Sequence, residues 1–336
     1  MKLIVPMAGR GTRLRPHTHV TPKPLLPVAG RSMVERIVET LANTVPDGFE
    51  EVVFILGPDF GQDVRDRLSE IAERLGTTAG FAVQETAEGT AHAVIQAEGA
   101  LRGPVVVAFA DTLFYMDGTA ADFASDAVIW TKTVDDPSAY GVAVKEGDRI
   151  TQFVEKPDTP ISNEAIIGIY YFREGERLAA EIHKLMAAGQ RGKGGEFQLT
   201  DALDALLRDG ARFTTASVNE WLDCGTIPAL KATNRVVLAK DGEHDKRGTV
   251  EDSQLVEPVF VGEGAVVRGS VVGPFTAIHA GATVEGSVVR NSIVFGDATI
   301  EASALDGAVI GHAAHLRGAA GELNVGDHAT VGPVDA

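Results

Sequence analysis

The 336-residue chain is poor in the residue types that would place it in several large classes. It has one cysteine, Cys224, so no intrachain disulfide can staple it and a reducing compartment is expected. Lysine plus arginine (30) fall well short of aspartate plus glutamate (47), leaving a formal charge of -17. A nucleic-acid partner, which needs a basic footprint, is therefore not expected. No apolar run approaches the ~18 residues of a membrane span, and with a strand read from Lys2 a signal peptide is not expected. A cytoplasmic protein with no membrane partner is the expectation. The acidity serves solubility and would equally suit a salt-loving host, and composition alone does not separate the two.

What remains is an ordinary globular composition, 44% hydrophobic and 23% charged, in a chain long enough for about two domains of ~150 residues. Over the first 240 residues, short apolar runs alternate with helical spacing. Leu3-Ile4-Val5, Val52 to Leu56, Phe81 to Gln84 and Val105 to Ala110 read as buried strands. Ser32-x-x-Glu35 is a capping box that predicts a helix over 33–43, and further helices are expected over 63–75, 93–101, 174–188, up to 208, and 227–240. Strand–helix alternation predicts a Rossmann-like, mostly parallel sheet flanked by helices. Residues 241–248 are charged and aperiodic and read as a linker.

From Thr249 onward the texture changes. Val261, Val266, Val272, Ile278, Val284, Val289, Val294, Ile300, Leu305, Ile310 and Leu316 recur every five or six residues among Gly, Ala, Ser and Thr. Such a period predicts a parallel β-helix over 249–336, each coil stacking on the last to bury one apolar column.

The chemistry concentrates after the first strand. Pro6-Met7-Ala8-Gly9-Arg10-Gly11-Thr12-Arg13-Leu14-Arg15-Pro16 combines glycines with cations, and Pro22-Lys23-Pro24-Leu25-Leu26-Pro27 holds a lysine between prolines. Glycines let backbone N–H groups approach a phosphate, and prolines stiffen the loop that carries the cations. The stretch is not a Walker loop, and Leu14 stands where a dinucleotide fingerprint needs its third glycine. Asp111 closes the most hydrophobic strand, at the end where open α/β sheets bind ligands. Asp223, in Trp221-Leu222-Asp223-Cys224-Gly225-Thr226, is a second carboxylate before a glycine turn.

Together, G-x-G-T-R-L-R-P and P-K-P-L-L-P resemble the signature of the sugar-1-phosphate nucleotidylyltransferases over the first ~240 residues. The later repeats resemble the left-handed, hexapeptide-repeat β-helices appended to many of them. The resemblance implies that Ala8, Gly9, Gly11, Thr12 and Arg13 hold a nucleoside triphosphate beside Lys23. It further implies base recognition by Gln84, Gly89 and Thr90, and a sugar-phosphate pocket from Gly141, Glu155, Lys156 and Gly168, with Glu196 lining the cleft. Asp111 and Asp223 are the implied Mg2+ ligands. The sequence departs from many relatives at Pro6-Met7-Ala8-Gly9, which have Leu-Ala-Gly-Gly there, and in having Thr112-Leu113 after Asp111.

The implied reaction joins a sugar 1-phosphate to a nucleoside triphosphate. A phosphate monoester is mostly dianionic at neutral pH, its second pKa being ~6, so no general base is required. Catalysis becomes a matter of positioning and charge, which Arg13, Lys23, Lys156 and Mg2+ would supply. Glucose 1-phosphate with dTTP or UTP is the first expectation, mannose 1-phosphate with GTP an alternative. Two others are a second, acyl-transferring activity using His279, His312 or His315 of the repeats, and a non-catalytic scaffold. Self-association through the β-helix into a homo-oligomer is also expected.

Overall fold

A computed structural model describes residues 1–9, 11–116, 121–241 and 247–333. Arg10 and most of the expected linker lie outside the described residues. The chain forms two compact bodies, Met1–Gly9 with Ile37–Trp221, and Arg10–Arg36 with Leu222–Ala336.

The first body is built on a nine-stranded sheet. Its strands are β1 (Lys2–Pro6), β2 (Glu51–Leu56), β3 (Thr78–Val83), β4 (Val105–Ala108), β5 (Ala127–Thr133), β6 (Gly141–Glu146), β7 (Arg149–Glu155), β8 (Glu164–Phe172) and β9 (Phe213–Ser217), in the order β3-β2-β1-β4-β8-β5-β9-β7-β6. The half that begins the chain is parallel: Leu3 lies opposite Val52, and Lys2 opposite Val105. Beyond β4 the sheet becomes mixed, because β8 runs antiparallel to both β4 and β5. Leu3, Ile4, Val105, Val106 and Val107 are fully buried, as expected of strands covered on both faces.

Helices α1 (Met33–Ala42), α2 (Gln62–Arg74), α4 (Gly175–Ala187), α5 (Leu199–Arg208) and α6 (Ile227–Lys240) follow the expected spans to within a few residues, and α3 (Thr90–Ile95) falls between α2 and α4. The Ser32 hydroxyl caps α1 by accepting from the Glu35 N–H at 3.3 Å. The helix expected over 93–101 differs: α3 starts earlier, stops at Ile95, and is followed by a separate 3-10 turn at Glu98–Ala100. Gly99 within that turn weakens helical continuation.

In the second body, three parallel sheets of two- and three-residue strands stack into a left-handed β-helix. One face runs Val250, Val267, Val284, Ile300, Leu316, Val331 in register. The inward residue of the second coil is thus Val267, not the expected Val266, which is only half-buried. In a strand adjacent residues point to opposite faces, and a five-or-six spacing does not resolve a slip of one.

A serine ladder ties one corner of the coils. The N–H groups of Ser270, Ser287 and Ser303 donate at 3.0 Å to the hydroxyls of Ser253, Ser270 and Ser287, and Ala319 N–H donates to Ser303 at 3.1 Å. The residue before each rung is left-handed: Asp252, Gly269, Gly286, Ala302 and Gly318 have φ between 45° and 67°. Residues 11–36 pack within this same body.

Candidate active site

Within the second body, the glycine–arginine and proline–lysine motifs fold into one knot. Gly11 adopts φ 57°, and a Cβ there would stand 2.8 Å from the Lys23 Cβ and 3.2 Å from the Thr18 methyl. Glycine is required on both counts. The Thr18 hydroxyl donates to the Gly11 carbonyl at 2.8 Å. Thr12–Leu14 then makes a 3-10 turn pinned by buried Leu14, which leaves Arg13 and Thr12 exposed. Lys23 begins a second 3-10 turn, Lys23–Leu25, between prolines that cannot extend it into a helix. Its side chain is largely buried along the Gly11 backbone.

Asp223 meets this knot at Gly225. A Cβ on Gly225 would lie 2.9 Å from Asp223 Oδ1 and 3.1 Å from Arg13 Nη2, so the carboxylate and the guanidinium flank the same glycine. Asp223 is held at both ends. Its Oδ1 accepts from Gly225 N–H at 2.7 Å, and its carbonyl accepts from the Thr233 hydroxyl of α6 at 2.7 Å. Thr226 caps α6 by accepting from Ala229 N–H at 3.3 Å. The W-L-D-x-G-T motif therefore combines an exposed carboxylate, a glycine that makes room for Arg13, and a helix cap.

The first body carries the other expected residues. Ala8 and Gly9 follow β1, and a Cβ on Gly9 would meet nothing within 4 Å. Buried Gln84 follows β3, its amide nitrogen donating to Gly89 O at 3.3 Å and meeting His92 Nδ1 at 3.0 Å. Gly89 passes so close to the next motif that a Cβ would lie 2.5 Å from Phe197 O and 2.9 Å from the Glu196 Cβ. Thr90 joins the two: its hydroxyl accepts from Leu199 N–H at 2.8 Å and donates to Gln198 Oε1 at 3.2 Å. Glu196 is exposed and accepts from the Gln198 amide at 3.2 Å. The stretches 84–91 and 196–201 are thus one structural piece.

Gly141 begins β6 where its missing side chain leaves room for Glu155 Oε2 and the Thr200 methyl, each 3.0 Å from where a Cβ would be. Glu155 accepts from the Thr200 hydroxyl at 3.0 Å and pairs with Lys156 at 3.8 Å. Lys156 has a left-handed backbone, φ 43°, a conformation that costs a non-glycine residue energy and marks functional sites. Its N–H donates to Tyr140 O at 3.0 Å, and its carbonyl accepts from Lys193. Gly168 lies at an irregularity in the β8–β5 pairing, its carbonyl accepting from Phe109 N–H at 2.9 Å.

Asp111 is exposed one turn past β4. Its charge and that of Glu155 both reach the buried Tyr170 phenol, whose pKa is pushed up first by burial and then by these two carboxylates. Burial, with Glu155 and Asp204 nearby, also raises the Asp201 carboxyl. Thr200, Asp201, Tyr170 and Lys193 were given no role from sequence. Thr200 and Asp201 follow Glu196 in Glu196-Phe197-Gln198-Leu199-Thr200-Asp201, and Lys193 sits in the basic, glycine-rich run Arg191 to Gly195.

Of the histidines considered for acyl transfer, His279 is excluded as an external base. It is buried, its Nδ1 is 2.8 Å from Val294 O, and its Nε2 accepts from Gly30 N–H at 3.3 Å. His312 and His315 are exposed. No helix among the described residues is long and apolar enough to cross a membrane.

The profile of the family described as Nucleotidyl transferase matches residues 2–240. The low-salt glycan biosynthesis nucleotidyltransferase Agl11 of Haloferax volcanii is 30% identical over 333 residues, covering 90% of both chains. A glucose-1-phosphate thymidylyltransferase of Streptomyces antibioticus is 29% identical over 345 residues, covering 93% of this chain and 92% of its own. A crystal structure from Bacillus anthracis, assigned to glucose-1-phosphate thymidylyltransferase and holding sucrose, superposes with a TM-score of 0.61 at 30% identity. The match covers 73% of this chain and 98% of that one.

Proposed function

Because the chain belongs to the nucleotidyl transferase family and is a sugar-1-phosphate nucleotidyltransferase, we propose that it joins glucose 1-phosphate to dTTP or UTP. A phosphate oxygen of the sugar phosphate attacks the α-phosphorus of the triphosphate. The bond from that phosphorus to the bridging oxygen breaks, and pyrophosphate leaves with the oxygen.

The observation behind this reading is the knot in which Arg13 and Asp223 flank Gly225 while Lys23 is packed along Gly11. It presents Arg13 from a loop, packed on the largely buried Lys23, that has little freedom left to lose, so that little reorganisation opposes binding. Arg13 and Lys23, both in the second body, are assigned to the triphosphate. Lys156, whose left-handed backbone holds it beside Glu155, is assigned to the sugar phosphate. Gln84, its amide nitrogen engaged by Gly89 and His92, keeps its carbonyl oxygen to accept from a base N–H such as N3 of thymine or uracil.

The donor set suits Mg2+. Asp111 and Asp223 are exposed carboxylates, which offer the hard oxygen donors that this ion prefers. Mg2+ commonly uses one or two carboxylates and completes its shell with substrate phosphates. These two residues would hold it, and when bound it would neutralise charge on the phosphates. A cytoplasmic setting accords with the lone, buried Cys224, and the β-helix is the element proposed for self-association.

The test is pyrophosphate release with Mg2+ and glucose 1-phosphate against dTTP, UTP, GTP, CTP and ATP in turn. Release with dTTP or UTP, lost in Asp111→Asn, supports the assignment. Release only with GTP and mannose 1-phosphate would replace it with the guanylyl alternative. Silence with every pair would favour the scaffold.

A further inference from the structure

The β-helix does more in this chain than stack its own coils. The residues that carry Arg13 and Lys23 belong to its body, and each cation-bearing turn is followed by a buried polar anchor into it.

The first anchor follows Arg13. His17 N–H donates to Leu14 O at 3.1 Å, closing the turn, and the His17 ring is fully buried. Its Nε2 is 2.6 Å from Asn324 Oδ1 on the β-helix, which makes Nε2 the protonated nitrogen, and its edge meets Phe295 at 5.3 Å. Pro16 packs where a side chain on Gly326 would otherwise be, 2.9 Å away.

The second anchor follows Lys23. Leu26 N–H donates to Lys23 O at 3.0 Å, and Met33 N–H donates to Leu26 O at 3.2 Å. Between these bonds, Pro27–Val28 and Arg31–Ser32 form a hairpin with the tight turn Ala29-Gly30 at its tip. Four backbone groups at that tip are met by side chains. Ala29 N–H donates to Asn234 Oδ1 at 3.0 Å, and Gly30 N–H donates to His279 Nε2 at 3.3 Å. The carbonyls of Val28 and Ala29 each accept from Arg36 at 2.9 Å. A Cβ on Gly30 would lie 2.4 Å from Phe260 of the β-helix, so the tip is seated against it.

His279 can accept at Nε2 only as the neutral tautomer whose Nδ1–H is donated to Val294 O, 2.8 Å away. Both histidines touch Phe295, His279 at 5.8 Å between ring centres. The two anchors therefore share one aromatic backing.

We infer that His17 and His279 are positioning residues, which hold the Arg13 and Lys23 turns on the β-helix in the geometry that receives the triphosphate. The inference rests on the assignment of Arg13 and Lys23 to the nucleotide. It departs from a purely structural role for the repeats in one respect: loosening an anchor should weaken nucleotide use selectively. The sugar phosphate is assigned to Lys156 and Glu155, which belong to the other body.

The experiment uses full-length His279→Leu, His279→Gln and Asn324→Ala, with steady-state kinetics on whichever triphosphate the unaltered protein consumes. Glutamine keeps an acceptor for Gly30 N–H, and leucine removes it. His279→Leu and Asn324→Ala are expected to raise KM for the triphosphate by about tenfold, leaving KM for the sugar 1-phosphate unchanged. His279→Gln is expected to recover most of the loss. Equal effects on both substrates, no effect, or a glutamine variant as impaired as leucine would overturn the inference. Hydrogen exchange over residues 11–30 reads the same anchors without turnover, faster exchange being expected in His279→Leu and Asn324→Ala. If the unaltered protein releases no pyrophosphate with any triphosphate, the functional reading fails by itself. Unchanged exchange in both variants would then sink the anchors independently.

Discussion

The side chain of Lys23 runs across the α-carbon of Gly11, leaving 2.8 Å between its Cβ and the position a Gly11 Cβ would take. Two motifs separated in sequence thereby depend on one missing methyl group. Gly11→Ala would add both a left-handed alanine, costing roughly 1–2 kcal/mol, and a clash with the lysine stem. The expected result is a lower melting temperature together with a fall of about a hundredfold in kcat/KM, since a misplaced binding group costs that much. Calorimetry and pyrophosphate release measure the two effects separately.

Lys156 reverses that relation between stability and activity. Its φ of 43° strains the backbone, and its backbone bonds to Tyr140 and Lys193 do not need the side chain. Lys156→Gly should therefore relieve about 1 kcal/mol of strain while removing the cation assigned to the sugar phosphate. A variant that melts higher but turns over far more slowly is the expected outcome. A variant that melts lower would show that the strain is not felt.

The β-helix corners offer a matched pair. Ala302 stands at φ 45° where the equivalent corners at Gly269, Gly286 and Gly318 use glycine. Ala302→Gly should stabilise the second body by about 1 kcal/mol, and Gly286→Ala should destabilise it by a similar amount. Denaturant midpoints of the two variants, with the slope unchanged, test this directly.

His279 makes stability fall with acid in a definite window. Burial pushes its pKa down from 6.5 to about 4, with the Arg36 charge acting in the same direction and its bond to Val294 O opposing. An unfolded chain thus takes up a proton below pH 6.5 that the folded one refuses until about pH 4. Stability should decline across that interval by up to about 3 kcal/mol and then level off for this group. His17, also depressed by burial, adds in the same sense. His279→Gln should flatten the dependence between pH 6.5 and 4 relative to the unaltered protein.

A change in assembly is also expected on removing residues 247–336. The truncated chain should elute at a smaller size if the β-helix mediates self-association. By the anchoring of His17 and Gly30 it should also lose nucleotide turnover.

Much of this architecture was legible because it is governed by local pattern. Apolar runs such as Leu3 to Val5 specify buried strands, Ser32 and Glu35 mark where α1 begins, and a five-or-six period specifies stacked coils. The class of chemistry was legible for a similar reason: glycine, proline and cations clustered at strand ends narrow it to phosphate. The inward face of the second coil was misread, since Val266 and Val267 are both valine and only the pairing with Val250 and Val284 selects between them.

What the linear order could not contain is the company each residue keeps. No local signal joins His17 to Asn324, Gly30 to His279, or Gly225 to Arg13. Nor does any local signal make residues 11–36 part of the body formed by the last third of the chain. Hydrophobic period and turn chemistry act over a few residues, so sequence alone determined the elements, the repeat and the class of chemistry. The partners of a buried ring or a left-handed turn depend on which surfaces meet when the whole chain closes. That choice belonged to the tertiary structure, where an unmet N–H or a missing methyl group decides which surfaces can touch.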